Sequence, residues 1–283
     1  MTPVRLPPPL LHRLLPSPLM KASALLHAGV PGLLLAAPRA WPWIAGAVIA
    51  DHLALAGSGL TPRCSWLGPN VRRLPPRAAA HGSIALTIDD GPDPEVTPRV
   101  LERLAERGAP ATFFCIGERV ARFSDLAGEI ARRGHAVENH SQRHLRRFSL
   151  LPAGAIAREI AEAQETIARV CGSPPQFFRA PAGLRNPLLE PQLARLGLKL
   201  ASWTRRGFDS VSRDPPAVLA RLTRGLAGGD ILLLHDGNAA RTAGGSPVIL
   251  EVLPRLLDAL SEAELTPVTL RGAGDGIQCA LPA

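Results

Sequence analysis

The sequence predicts an α/β fold, a barrel or partly closed barrel of parallel strands, preceded by an apolar helical N-terminal segment. Three observations carry that prediction. From Ser83 onward short apolar runs alternate with amphipathic stretches, the pattern of strands joined by crossover helices. Ionisable residues fall repeatedly just after those runs, where an α/β fold collects its site. Residues 22–60 are nearly free of charge and stand outside the alternation.

At 283 residues the chain can hold one catalytic core plus an extension. Residues 1–21 carry Arg5, His12, Arg13 and Lys21 among prolines, and read as a flexible basic Pro-rich leader, because proline breaks the helical ladder. Ala22–Pro38 is apolar apart from His27, and Trp41–Leu60 apart from Asp51 and His52. Each lies at or just below the ~20 residues needed to span a bilayer. Together they predict a membrane-associated helical segment over 22–60, as a hairpin or as interfacial helices with Trp41 and Trp43 at headgroup level. A cleaved signal peptide explains only the first stretch, and packing onto the catalytic domain is the soluble rival.

For a hairpin, Arg5, Arg13 and Lys21 before it and Arg63, Arg72, Arg73 and Arg77 after it place both flanks in the cytoplasm. A single span puts the catalytic domain outside. The expected location is therefore a membrane, the bacterial inner membrane, with the side open. Residues 61–81, rich in Pro and Arg, read as a linker, 82–270 as the catalytic domain and 271–283 as a C-terminal tail.

Within the domain, Ser83–Ile88, Ala111–Ile116, Ala136–Glu138, Gln176–Phe178, Lys199–Trp203, Ile231–Leu234 and Thr266–Val268 are the predicted strands. Thr97–Arg107, Ser124–Arg133, Ala153–Val170, Pro187–Leu196, Pro216–Leu226 and Pro247–Ala263 are the predicted helices between them. The net charge of +8 does not point to nucleic acid: the only lysines are Lys21 and Lys199, the arginines are scattered, and there is no tyrosine to stack on bases. Cys64, Cys115, Cys171 and Cys279 form no CxxC, so neither a zinc ribbon nor a redox pair is indicated.

Five strand ends converge on one rim. Asp89 and Asp90 leave the first strand as neighbours pointing in different directions, so one can bind metal while the other takes protons. Taken alone, Asp-Gly-Pro is more often a turn. His140 and His144 are four apart, which on a helical turn puts both imidazoles on one face, and Ser141 can orient a ligand from behind. Arg179, at the next strand end, can clamp a carboxylate, with a surface salt bridge as the plain alternative. His235 emerges from the apolar run Ile231–Leu234 as a candidate acid, or as a satisfied core histidine.

In order, Thr87-Ile88-Asp89-Asp90-Gly91-Pro92, His140-Ser141-Gln142-Arg143-His144, Arg179-Ala180-Pro181-Ala182-Gly183, Trp203 with Asp209, and Leu233-Leu234-His235 resemble the five motifs of the polysaccharide deacetylases. These are the carbohydrate esterases of family 4, which share the chitooligosaccharide deacetylase domain. The resemblance covers about residues 82–270. It implies a distorted, incompletely closed (β/α)7 barrel and one divalent metal ion, usually Zn2+ with Co2+, Ni2+ or Mn2+ as alternatives, held by Asp90, His140 and His144. It further implies Asp89 as general base, Arg179 as its partner, His235 as general acid and Asp209 as the group that tunes it. Pro181, Ala182, Gly183, Trp203 and Leu233 are the implied substrate-binding residues, with a backbone N–H near Ala182 for the oxyanion. Ala182, Gln142 and Ser210 stand where many members carry aromatic residues, which puts the substrate more in doubt than the reaction.

The function so implied is metal-dependent removal of an acyl group, acetyl first, from the amide nitrogen of an N-acylated carbohydrate. The membrane segment favours a lipid-linked glycan or glycolipid. The alternatives are hydrolysis of a small non-sugar amide, cyclic imide or ureide, and a silent membrane-anchored scaffold, which the filled catalytic positions disfavour.

Overall fold

A computed structural model describes residues 10, 13 and 15–274; Cys279 and most of the C-terminal tail lie outside them. Two apolar helices come first. Helix α1 (Pro18–Ala36) starts at an N-cap, Ser17, with proline at its first position, and α2 (Trp41–Leu60) follows a single 3-10 turn over Pro38–Ala40. The helix thus begins inside the stretch expected to be a leader, because proline at N1 costs the helix no hydrogen bond.

Neither helix packs on the rest of the chain along its length. Among their residues only Ser23, Ser58 and Gly59 are buried, while Leu25, Leu35, Trp41, Trp43, Ile49 and Leu53 are exposed. Packing onto the catalytic domain therefore does not account for their apolar surface. The exception is the end of α2, where Arg185 N–H donates to the Gly59 carbonyl at 3.1 Å.

A short helix, α3 (Pro76–Ala80), leads into an all-parallel sheet. Its strands are β1 (Ser83–Asp89), β2 (Thr112–Cys115), β3 (Ala136–Asn139), β4 (Phe177–Phe178), β5 (Lys199–Leu200), β6 (Arg205–Arg206), β7 (Ile231–His235) and β8 (Thr266–Val268). They run in the order β5-β4-β3-β2-β1-β7-β6, and β8 pairs with the first residues of β1. Every residue of β1 after Ser83 is buried, as a strand covered on both faces requires. The helices between are α4 (Thr97–Ala105), α5 (Gly117–Arg122), α6 (Ser124–Arg132), α7 (Ala153–Cys171), α8 (Leu189–Arg195), α9 (Pro215–Thr223) and α10 (Val248–Glu262). Helix α10 buries Val248, Ile249, Val252, Leu253, Leu256, Leu257 and Leu260, a repeat of three and four that fits one helical face.

The sheet curls without closing through its own strands, as the sequence predicts. Three of the numbered elements were not foreseen: the short helices α3 and α5, and the two-residue β6, which lies just beyond the predicted strand Lys199–Trp203. A two-residue strand leaves no periodicity to read.

Three further expectations change. Residues 61–81 are packed rather than a free linker, since Val71, Leu74 and Ala78 join a buried cluster with Phe114, Trp203 and Leu233. Val71 bridges Ala201 in parallel and Leu74 N–H donates to the Gly229 carbonyl at 2.8 Å, so this segment fills the gap between the ends of the sheet. Two residues of the leader are likewise tied down: Leu10 N–H reaches the Ala194 carbonyl, and Arg13 pairs with Glu190 at 2.5 Å in a buried contact. Burial pushes the Glu190 carboxyl up to about 7 although Arg13 works against it. Arg271, at the start of the expected tail, belongs to the domain, pairing with the buried Glu138 at 2.5 Å.

Candidate active site

The ends of β1, β3, β4 and β7 bring the predicted residues together. Asp89 is the last residue of β1 and His235 the last of β7, and they are register partners on adjacent strands. The two side chains therefore stand at one height on the rim. His140 follows β3 and Arg179 follows β4, whose final residues Asn139 and Phe178 are also partners. All four side chains are buried.

Arg179 is fixed from several directions. Its Nη1 donates to Asp89 Oδ1 at 2.6 Å and to Thr87 Oγ1 at 2.8 Å, its Nη2 donates to the Ser202 carbonyl at 2.9 Å, and its guanidinium lies 4.0 Å from the Phe114 ring centroid. Burial holds its proton less tightly than usual, while Asp89 holds it more. A buried guanidinium tied to one carboxylate and three neutral acceptors, the third being the Ala201 carbonyl, is not a surface salt bridge. The pair leaves Asp89 Oδ2 facing His140 Nε2 at 3.9 Å.

Asp90 turns the other way. Its backbone is left-handed, with φ 74°, and its Oδ1 lies 3.2 Å from His140 Nε2 and 3.2 Å from His144 Nε2. Ligand atoms of the three residues all lie within 4.8 Å of one another. Asp90 Oδ1 is buried and accepts no hydrogen bond. A buried carboxylate oxygen without a donor, facing two imidazole nitrogens, could hold a divalent cation. His140 Nδ1 meets the Arg179 carbonyl at 2.8 Å, which assigns the proton to Nδ1 and leaves Nε2 as the free lone pair.

The histidine pair does not arise as expected. Residues 140–144 form a loop, not a helical turn, with Ser141 at φ 64° and His144 at φ 50°. Ser141 Oγ accepts the His144 N–H at 3.0 Å, and Asn139 Oδ1 accepts the Ser141 N–H at 2.9 Å. Convergence thus comes from side-chain-capped loop geometry rather than from the spacing of four. Ser141 orients the backbone of a candidate ligand, not its imidazole.

His235 is held twice by Asp209, which accepts from its backbone N–H at 2.7 Å and meets its Nδ1 at 2.9 Å. Burial disfavours the imidazolium, but Asp209, then Asp89 and Asp90, raise its pKa to about 9. For Asp90, burial works against ionisation and the three histidines outweigh it, so its carboxyl stays well below the usual range. Next to His235, the wholly buried Asp236 is pushed up to about 7 by burial, although Thr97 Oγ1 donates to it at 2.5 Å.

The two catalytic loops interlock through glycines. A Cβ on Gly91 would meet Asp236 Oδ2 at 2.5 Å, and one on Gly237 would meet the Asp90 carbonyl at 2.2 Å. Gly91 is therefore required by close approach, not by turn geometry.

These side chains surround a cavity of about 210 Å³ lined by Asp89, Asp90, His140, His144 and His235 together with Ala182, Gly183, Trp203 and Leu233. Of the implied substrate-binding residues, Pro181 does not line it. Pro181 is buried, while the next residue, Ala182, adopts a left-handed φ of 55° and lines the cavity. Sequence reasoning missed Asn238, whose Nδ2 donates to Asp90 Oδ2 at 3.1 Å, and Arg119, which donates to the Asp90 carbonyl at 2.9 Å. Asn238 stands three residues beyond His235 on the same strand end, a legible signal. Arg206, which lines the cavity over Trp203 and Phe208 at 5.5 and 4.9 Å, had none, because it lies on a strand too short to read.

Comparison with known proteins identifies the family. Residues 77–201 match the family model described as Polysaccharide deacetylase. A peptidoglycan-N-acetylglucosamine deacetylase of Bacillus cereus is 32% identical over 194 residues, covering 68% of this chain and 85% of that protein. A chitooligosaccharide deacetylase of Sinorhizobium fredii is 32% identical over 168 residues, covering 59% and 78%. Among solved structures, a family 4 carbohydrate esterase from Streptomyces lividans in complex with acetate superposes with a TM-score of 0.61 at 28% identity, covering 71% of this chain and 98% of that one. With the fold, the ordered strand-end residues and these similarities in hand, the chain belongs to the polysaccharide deacetylase family.

Proposed function

We propose that this protein hydrolyses the N-acetyl amide of an N-acetylated glycan, releasing acetate and a free amine. One observation carries the reading: a carboxylate held by arginine, a carboxylate facing two imidazoles and a histidine held by a carboxylate share one small cavity. Relatives named as peptidoglycan and chitooligosaccharide deacetylases support the substrate class. The small-amide alternative has no comparable support.

In the proposed mechanism Arg179 fixes Asp89 through Oδ1, and Oδ2 takes the proton of a water attacking the amide carbonyl. The backbone at Ala182 is the proposed N–H donor to the developing oxyanion. His235, an imidazolium up to about pH 9, gives a proton to the amide nitrogen as the C–N bond breaks. Since Nδ1 is occupied by Asp209, Nε2 is the atom that delivers it. Acetate leaves with the water oxygen and the amine leaves neutral.

Asp90, His140 and His144 are the proposed holders of a divalent cation, Zn2+ foremost, with Co2+, Ni2+ or Mn2+ also suited to this donor set. When bound, it would polarise the amide carbonyl and acidify the attacking water. We further propose that α1 and α2 attach the protein to a membrane, as two helices of 19 and 20 residues with exposed apolar surface, and that the glycan is lipid-linked. Acetate release from N-acetylated chitooligosaccharides, peptidoglycan fragments and lipid-linked N-acetylglucosamine by metal-loaded and chelated protein tests the reading. Activity on an N-acetyl sugar that disappears with chelation and returns with metal is expected. Release from none of them, with metal bound, would reject it.

A further inference from the structure

We propose that a basic groove beside the catalytic cavity binds the phosphate group that joins a lipid to its glycan. This rests on the deacetylase reading above and narrows its substrate to a phosphate-linked one. The groove has a volume of about 1180 Å³ and carries Arg63, Arg72, Arg73 and Arg77 on its walls. All four side chains are exposed. Arg73 pairs at 3.0 Å with Asp230, a carboxylate it shares with Arg205. Arg63 and Arg72 donate only to carbonyls, of Thr204 at 3.0 Å and of Arg63 at 3.4 Å, and no carboxylate pairs with Arg63, Arg72 or Arg77 among the described residues.

Three guanidinium groups on one concave surface, with no carboxylate partner among the described residues, raise its positive potential, because low-dielectric walls focus the field. Their planar donor forks match phosphate oxygens, and a neutral polymer needs none of them. Single carbonyl bonds from Arg63 and Arg72 leave most of their donors free, and the like charges repel one another.

Position fixes which phosphate fits. The groove opens at Thr61, the residue after α2 ends, so it lies at the domain end of the apolar hairpin. Its inner wall includes Trp203, which also lines the catalytic cavity. A ligand reaching from the hairpin to Asp89 and His235 therefore passes the apolar helices, then the arginines, then Trp203. A lipid chain, a phosphate and an N-acetylated sugar, bonded in that order, match the sequence of surfaces. An anionic lipid headgroup matches only the first two.

The test uses the full chain in detergent and the Arg63→Gln/Arg72→Gln/Arg77→Gln variant, which leaves Arg73 on Asp230. Two substrates are compared: N-acetylglucosamine on a short prenyl diphosphate, and the same sugar on a neutral alkyl chain. We expect KM for the diphosphate substrate to rise about tenfold or more, with kcat and the alkyl glycoside little changed. Binding of inorganic pyrophosphate, followed by calorimetry, should weaken in parallel and needs no turnover. Equal effects on both substrates, or no effect on either, would overturn the groove while leaving the deacetylase reading intact. Loss of retention on phosphatidylglycerol vesicles with an unchanged KM would overturn it in favour of membrane-surface contact. If the wild type cleaves neither substrate yet binds pyrophosphate through these arginines, the deacetylase reading fails and the phosphate site stands.

Discussion

Asp89 and Asp90 are neighbours of identical chemistry in two different environments. Arg179 holds one at 2.6 Å, and two imidazoles face the other at 3.2 Å. Replacing Asp89 by Asn should lower kcat about 10²–10⁴-fold, the usual worth of a general base, while bound metal measured per chain stays near the wild-type value. Metal lost with Asp89 would make it a ligand and reverse the two roles. A second expectation concerns Asp209. It raises His235 to about 9, so the imidazolium donor persists below that pH and is lost above it. Asp209→Asn should shift the basic limb of the kcat/KM profile downward in pH, leaving the acidic limb nearly still. A basic limb that does not move would show that His235 is not the acid. Both roles were open in the sequence, because adjacency says that two carboxylates diverge but not which takes the metal. In the structure it is Asp90, at a left-handed φ of 74°, whose carboxylate faces both imidazoles. Arg206 was invisible for the opposite reason, since its role depends on Trp203 and Phe208 packing beneath it and on no spacing.

At the scale of elements, the alternation of runs and faces was enough to read the long parallel strands, because β1 and β7 are buried on both sides and their sequences are continuous apolar runs. It was not enough for contacts made by isolated polar residues. Arg13 shows the consequence: a charge in a proline-rich stretch reads as solvated, yet it meets Glu190 of α8 with both side chains buried. Glu190 has its carboxyl raised from 4.5 to about 7, so the folded state prefers the protonated form. The stability this group contributes is present below about pH 4.5 and is lost as pH rises through about 7. Arg13→Ala removes the group that opposes this shift. The variant should therefore lose the most at pH 8, on the order of 3 kcal/mol for a stranded buried charge, and much less at pH 5, where Glu190 is already neutral. Thermal unfolding of the two proteins at both pH values measures the difference. Equal shifts in Tm would mean that Arg13 contributes by packing alone.

The whole molecule has a topology that its parts impose. Helices α1 and α2 are joined by one 3-10 turn, so the chain that enters the hairpin must return on the side from which it came. The leader meets that requirement physically: Leu10 and Arg13 bond to Ala194, Glu190 and Leu198 of the catalytic domain on the far side of the hairpin in sequence. A single membrane crossing would separate these partners by a bilayer of ~30 Å and break the contacts. The proposed membrane hairpin therefore carries a prediction that composition alone could not make, since the distribution of arginines allowed either one span or two. With the native cysteines replaced, single cysteines at Ser17 and at the exposed Val211 should react with a membrane-impermeant maleimide from the same face of sealed vesicles. The arginines at both flanks favour the cytoplasmic face. Labelling of the two positions from opposite faces would require one span, undo the Arg13–Glu190 contact and remove the groove from the membrane surface on which it is proposed to act.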